Sequence, residues 1–208
     1  MNNVTFKVSE ALFASGCLKF GTFKIKSGAT SPYYIDLAQL LSSPQRFCDL
    51  ADIVAHEIKD LMAVEKIDKL ASIELKGALV LPSVGCKLGL PCVIVRKEEK
   101  SYGATSRIAG AEVSKGDGIL FFDDVVSEGL SKLEGIKPLE ELGANVKHVM
   151  VVVDREQGGK ATLEKLGYKV RALTTITGVT ENLLQSSRIT KEQAARVQNY
   201  VTSFREHK

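Results

Sequence analysis

Asp123 and Asp124 stand side by side at the close of an apolar run in the segment GILFFDDVVSEGLSK, residues 118–132. Behind them come Val125, Val126, Ser127, Glu128, Gly129, Leu130 and Ser131, a turn that leads into a helical pattern. Backbone N–H groups and the positive dipole end at a helix start bind phosphate well. Ser127 and Ser131 can add hydroxyl donors. Carboxylates beside such a cradle would repel phosphate, so they must face something else. A sugar diol suits them, because each carboxylate accepts hydrogen bonds from hydroxyls. They would also stabilise positive charge developing on a ribose ring. Acids followed by a phosphate cradle therefore read as a site for a phosphorylated ribose. Spacing alone also allows a plainer reading, in which the two acids cap the next helix and meet solvent. The pattern is neither GxxxxGK[ST] nor GxGxxG.

Such groups need a frame that brings them together. From residue 69 onward, short apolar strands alternate with helical stretches. KLASIEL (69–75), PCVIVRK (91–97), GILFFDD (118–124), HVMVVVD (148–154) and KVRALTTI (169–176) read as strands. Residues 77–88, 129–142 and 158–166 read as helices, the first with Pro82 accommodated near its start. This rhythm predicts an α/β fold with a mostly parallel central sheet flanked by helices. In such sheets ligands bind beyond the carboxyl ends of the strands. The acids should therefore share a rim with Arg96 and Lys97, and with Asp154 and Arg155.

The N-terminal part differs. Residues 6–18 read as a helix, and FGTFKIKSGATSPYYIDL (20–37) as two strands around a Ser-Gly-Ala-Thr-Ser-Pro turn. Ser43 and Pro44 suit the start of a helix running to about residue 62. Residues 190–205 close the chain as a polar amphipathic helix. Segment 98–118 has no sustained period and is rich in charge, Gly and Ser; a connection of about twenty residues exceeds usual loop lengths and marks a binding element.

The chain of 208 residues fits one domain, 1–208, with a core built from aliphatic side chains, since Trp is absent. A net charge of +3 is too weak to imply nucleic acid or an anionic membrane surface. No apolar run reaches the roughly 18 residues of a membrane helix, and no basic start precedes a sustained apolar block. A cytoplasmic protein is expected. Cys17, Cys48, Cys86 and Cys92 form no CxxC, and His56, His148 and His207 are dispersed, so no structural metal is expected.

With the acidic segment, four further stretches resemble the type I phosphoribosyltransferase family, and within it the orotate phosphoribosyltransferases. FGTFKIKSGATSPYYIDL resembles their N-terminal hood, here about residues 1–40. ELKGALVLP (74–82) resembles the pyrophosphate loop, RKEEKSYG (96–103) the catalytic loop, and VVVDREQGG (151–159) the orotate-contacting segment. The resemblance covers roughly residues 15–180.

It implies the type I fold and transfer of phosphoribose from 5-phosphoribosyl 1-diphosphate (PRPP) to orotate. The products would be orotidine 5′-monophosphate and pyrophosphate, in de novo pyrimidine (UMP) biosynthesis. Mg²⁺ is the implied cofactor, held mainly by PRPP and water with no direct protein ligand. A homodimer with shared active sites is implied as well. Asp123, Asp124, Lys76 and Lys100 would be catalytic. PRPP would be gripped by Lys76, Gly77, Arg96, Lys97 and Lys100 and by the run Asp123, Asp124, Val125, Val126, Ser127, Glu128, Gly129, Leu130 and Ser131. Orotate would meet Lys26, Tyr33, Tyr34, Ser127 and Arg155.

Read without the family, Lys26 and Lys100 are solvated lysines, Tyr33 and Tyr34 are strand packing, and Arg155 pairs with Asp154 or Glu156. The alternatives are a phosphoribosyltransferase for another base and a catalytically weak nucleotide-binding paralogue. The chain departs from the family pattern in three places. Ser127 replaces Thr, the bulky Leu130 stands where a small residue is usual, and ELKGALVLP lacks an early Pro. Glu128 is expected to point outward, away from a dianion.

Overall fold

In the computed structural model, which describes residues 3–25, 28–98 and 107–206, helix and strand follow one another as the apolar periodicity dictates. Helix α1 (Asn3–Ala14) leads into the hairpin β1 (Leu18–Lys24) and β2 (Thr30–Ile35). A 3₁₀ turn (Leu37–Ser42) and α2 (Pro44–Met62) follow. Then come β3 (Lys69–Ile73), α3 (Lys76–Leu88), β4 (Cys92–Val95), β5 (Ile108–Gly110) and β6 (Gly118–Val126). The chain continues through α4 (Leu130–Glu141), β7 (Asn145–Asp154), α5 (Gly159–Lys165), β8 (Lys169–Thr175), α6 (Ile176–Gln185) and α7 (Lys191–Glu206). No helix among the described residues is long and apolar enough to cross a membrane.

Six strands form one sheet in the order β5-β4-β3-β6-β7-β8, all parallel except β5, which runs antiparallel along β4 at the edge. Helices cover both faces, as a parallel sheet requires. Alternation along β6 divides the core. Leu120 and Phe122 join one apolar cluster with the hairpin, α1, α2, α3, α6 and α7, while Ile119 and Phe121 join another with α4 and α5. Since successive strand residues point to opposite faces, Asp123 falls on the α4 side and Asp124 on the hairpin side.

The hairpin is a separate two-stranded sheet that shares the first cluster through Leu18, Tyr33 and Ile35. Pro32 lies within β2 rather than in the turn where the sequence placed it. Its missing N–H is tolerated because the register between the strands shifts across Phe20 and Phe23, and Pro32 sits opposite that bulge. Helix α7 fastens the bulge from outside: Arg196 Nη2 donates to Gly21 O at 3.3 Å and to Thr22 Oγ1 at 3.1 Å.

Several other boundaries differ from expectation. Helix α1 ends at Ala14, not residue 18, because Gly16 turns the chain at φ +72. Pro82 lies well inside α3. Strand β6 runs on to Val126, since Val125 and Val126 pair with Val153 and Asp154 of β7, so the two acids lie inside the strand. Strand β5 and helix α6 had no clear sequence signal. ITGVTENLLQ is rich in β-branched residues and carries a Gly, a poor helix former by propensity. Its first turn is fixed by Thr175, whose Oγ1 accepts the Gly178 N–H at 3.0 Å, and by burial of Ile176, Val179 and Leu183.

Helix α4 approaches the sheet at Gly135, where a Cβ would lie 2.5 Å from Phe121 Cζ and 3.0 Å from Ile73 Cβ. Gly135→Ala therefore sets a helix-propensity gain of about 1 kcal/mol against overpacking of about 1–3 kcal/mol. The expected outcome is a lowered urea midpoint; an unchanged or raised midpoint would show that α4 can lift away freely.

Candidate active site

At the carboxyl rim of the sheet, Asp123 and Asp124 are 5% and 7% exposed. Burying two adjacent carboxylates is costly unless each finds hydrogen bonds and opposite charge. Asp123 Oδ1 accepts the Asp124 N–H at 2.9 Å, and Asp124 Oδ1 accepts the Val125 N–H at 2.8 Å. Lys132 of α4 forms an ion pair with Asp123 Oδ2. Burial first, and then the Asp123 charge, push the Asp124 carboxyl up to about 7, although Lys132 and Lys76 pull it down.

Lys76 comes from the first residue of α3, on the hairpin side. Its Nζ lies 3.3 Å from Asp36 Oδ1, donates to Ile35 O at 3.4 Å, and stands 5.3 Å from the centre of the Tyr34 ring. Burial opposes its charge, but Asp124 and Asp36 outweigh it and raise the ammonium above its usual value. Gly77 explains how α3 comes so near. A Cβ there would sit 2.6 Å from Asp123 Oδ1 and 2.7 Å from Asp123 Cα, so only glycine lets the helix start against β6.

Beyond Val126 the chain forms the turn that opens α4. Gly129 takes φ +94 at the helix N-cap, a conformation that glycine adopts without strain. The turn is seated on the loop after β7: Arg155 N–H donates to Val126 O at 2.9 Å and Gly159 N–H to Ser127 O at 2.7 Å. Val125 is half-buried and Val126 is fully buried beneath the turn. Ser127 is half-buried, while Glu128, Leu130 and Ser131 are exposed. The exposure of Glu128 agrees with the outward placement expected of it. Leu130 is 62% exposed and does not fill the turn.

Arg155 crosses from this turn to the hairpin. Its Nε donates to Tyr33 Oη at 3.1 Å, its Nη1 to Ser127 Oγ at 3.3 Å, and its guanidinium carbon lies 5.0 Å from the Tyr33 ring centre. These contacts tie the turn to the hairpin. Beside them, Asp154 accepts the Glu156 N–H, and Glu156 accepts the Thr177 N–H.

Tyr33 needs correction as a residue lying over the base. It is 0% exposed, packed edge-on against Tyr200 at 6.0 Å, and its hydroxyl serves Arg155. Tyr34 is 40% exposed and keeps an open face. Arg96 and Lys97 follow β4 on the same rim; Arg96 N–H donates to Arg107 O at 2.7 Å, and Lys97 N–H donates to Glu74 Oε1 at 2.7 Å. Lys26 and Lys100 lie outside the described residues. The sequence reading missed Lys132. Its signal was present: it falls on the buried stripe of α4 with Gly135, Ile136 and Leu139, where a lysine is out of place unless paired.

Known proteins share this arrangement of sequence and fold. The chain is 35% identical to the orotate phosphoribosyltransferase of Pyrococcus horikoshii over 179 residues, covering 86% of this chain and 92% of that one. The chain belongs to the orotate phosphoribosyltransferase family. The orotate phosphoribosyltransferase of Pyrococcus furiosus is 38% identical over 162 residues, 77% of this chain and 86% of that one. Among solved structures, Leishmania donovani UMP synthase superposes with a TM-score of 0.84 at 32% identity, over 96% of this chain. This chain spans only 42% of that protein's length. Orotate phosphoribosyltransferase from Aeropyrum pernix gives a TM-score of 0.73 at 24% identity, over 86% of this chain and 98% of that one, a likeness of fold. No family model matches the chain. The sheet order and the flanking helices are those of a type I phosphoribosyltransferase.

Because the Asp124 carboxyl is raised, its share of stability is full below the unfolded value of about 3.9. That share is lost as pH rises through about 7. Asp124→Asn removes this burden while keeping an acceptor for Val125. The variant is expected to melt several degrees higher than the wild type at pH 8, with the gain shrinking below pH 5. A thermal melt series in pH checks this; equal melting curves at pH 8 would show that Asp124 carries no penalty.

Proposed function

We infer that the chain transfers the phosphoribosyl group of PRPP to N1 of orotate, giving orotidine 5′-monophosphate and pyrophosphate in de novo pyrimidine (UMP) biosynthesis. One observation carries the site assignment: a buried acid pair directly precedes a glycine turn at a helix start, and Arg155 spans from that turn to the hairpin. In the reaction the bond from ribose C1 to pyrophosphate breaks and its electron pair leaves with pyrophosphate. The N1 pair of orotate forms the new bond, and the N1 proton is released. Between these events the ribose is cationic in character, so fixed anions beneath it lower the barrier.

Asp124 and Asp123 are placed to supply that charge and to hold the ribose hydroxyls. Backbone N–H groups of residues 127–131, with the Ser127 and Ser131 hydroxyls, would hold the 5′-phosphate at the start of α4. Lys76, Arg96 and Lys97 line the part of the rim suited to the diphosphate, with Lys100 as a further cation. Arg155 offers a guanidinium fork that matches the orotate carboxylate or ring oxygens. Tyr34 would cover the base, with Lys26 beside it, while Tyr33 orients Arg155 from within.

Magnesium is the proposed cofactor. Among the described residues no three His, Cys, Asp or Glu side chains gather into a cage. A hard cation carried by diphosphate oxygens, ribose hydroxyls and water suits such a rim, where it would offset the diphosphate charge. We further propose a homodimer with shared sites, in which the exposed Leu41 and Leu75 would be covered. Residues 1–208 would act as one catalytic domain. A cytoplasmic setting accords with the four free cysteines.

Loss of orotate absorbance in the presence of PRPP and magnesium tests the reading, and a protein that consumes no orotate would refute it. Arg155→Ala is expected to raise the orotate KM about tenfold or more, as for a lost charged hydrogen bond, with the PRPP KM within threefold. Equal loss for both substrates would remove its assigned role. Lys100→Ala should lower kcat by about two orders of magnitude, as for loss of one preorganised charge at the reacting centre, with an unchanged melting temperature. An unchanged rate would place Lys100 outside the site.

A further inference from the structure

Lys132 is a buried cation that the reaction above does not use. It is 4% exposed and sits in the first turn of α4, where the helix dipole disfavours positive charge. Burying an ammonium costs several kcal/mol before pairing. An aliphatic residue at this place on the stripe with Ile136 and Leu139 would carry no such cost. The return is visible in its contacts. Lys132 Nζ pairs with Asp123 Oδ2 and donates to Ser131 Oγ at 3.2 Å. Asp123 Oδ1 in turn accepts the Asp124 N–H at 2.9 Å, so both carboxylate oxygens of Asp123 are engaged.

We propose that Lys132 is a positioning residue for phosphoribosyl transfer: one ammonium ties the Asp123 carboxylate to the Ser131 hydroxyl, locking the acid pair under the ribose to the turn that grips the 5′-phosphate. The inference rests on the functional reading above. Lys132 reaches Asp123 from the α4 face, while on the hairpin face Lys76 is ion-paired with Asp36 and adds a second positive charge near Asp124. Asp123 becomes the anchored member, and Asp124 meets the substrate with its geometry set by its neighbour.

Lys132→Met is to be assayed beside wild type with PRPP, magnesium and orotate from pH 5 to 9. The expected result is a kcat/KM for PRPP at least tenfold lower, with the orotate KM within twofold. The acid limb of the pH profile should also move to higher pH, because the Lys132 charge helps to pull the Asp124 carboxyl down. Lys132→Arg, which keeps the charge, is expected to restore the acid limb. Wild-type kcat/KM in Lys132→Met overturns the inference, and so does a loss with an unmoved acid limb and no recovery in Lys132→Arg. If Lys132→Met does not fold, Asp123→Asn is compared with the double variant Asp123→Asn, Lys132→Met. A lysine that acts through Asp123 leaves these two within threefold of each other, whereas a further tenfold loss overturns the inference. A wild-type protein inert toward orotate is a separate result: it refutes the functional reading before any variant is made.

Discussion

Two carboxylates held out of water next to each other are the constraint around which the rest of this molecule is arranged. At an effective dielectric near 20, like charges about 5 Å apart repel by roughly 3 kcal/mol, and desolvation adds to that. A regular strand offers a way to bear this, because neighbouring residues leave on opposite faces. Extension of β6 to Val126 keeps the pair inside the strand, paired to β7 on either side of the acids. Helix α4 then delivers Lys132 from one side, and α3 delivers Lys76 from the other. Gly77 permits the second approach, since any side chain there would strike Asp123.

The hairpin is held from two directions as well. Inside, Tyr33 meets Arg155; outside, α7 grips the bulge through Arg196 and sets Tyr200 edge-on against Tyr33. Gln157, two residues beyond Arg155, donates to the Tyr200 hydroxyl at 3.2 Å. The hairpin side of the candidate site thus depends on a helix far away in sequence. Arg155 also joins the two halves of the candidate site, since one guanidinium touches both the turn after β6 and the hairpin.

Much of this was legible in the sequence, for a definable reason. Continuous apolar strands and helical stripes carry a strong period, so the parallel sheet could be placed from pattern, and the rule that ligands bind beyond strand carboxyl ends then put Arg96, Asp124 and Arg155 on one rim. What escaped detection depends on partners far along the chain. Helix α6 is made by Thr175 capping and by burial against α1, not by propensity. Strand β5 has three residues and exists by pairing with β4. Tyr33 and Tyr34 could each be strand packing or lie over a base as far as their types tell; alternation along β2 buries the first and leaves the second exposed. Lys132 was hidden by its own charge, which reads as solvent-facing until its buried helical stripe is noticed.

Gly159 lies so close to the turn after β6 that a Cβ would sit 2.4 Å from Ser127 O and 2.6 Å from Gly129 N. Two loops that follow different strands therefore share a single backbone surface. Neither can lengthen, bulk up or change its path without a matching change in the other. Variation in this turn must then arise as paired substitutions across these loops, and grafting either one alone into another scaffold would carry over half of a matched surface.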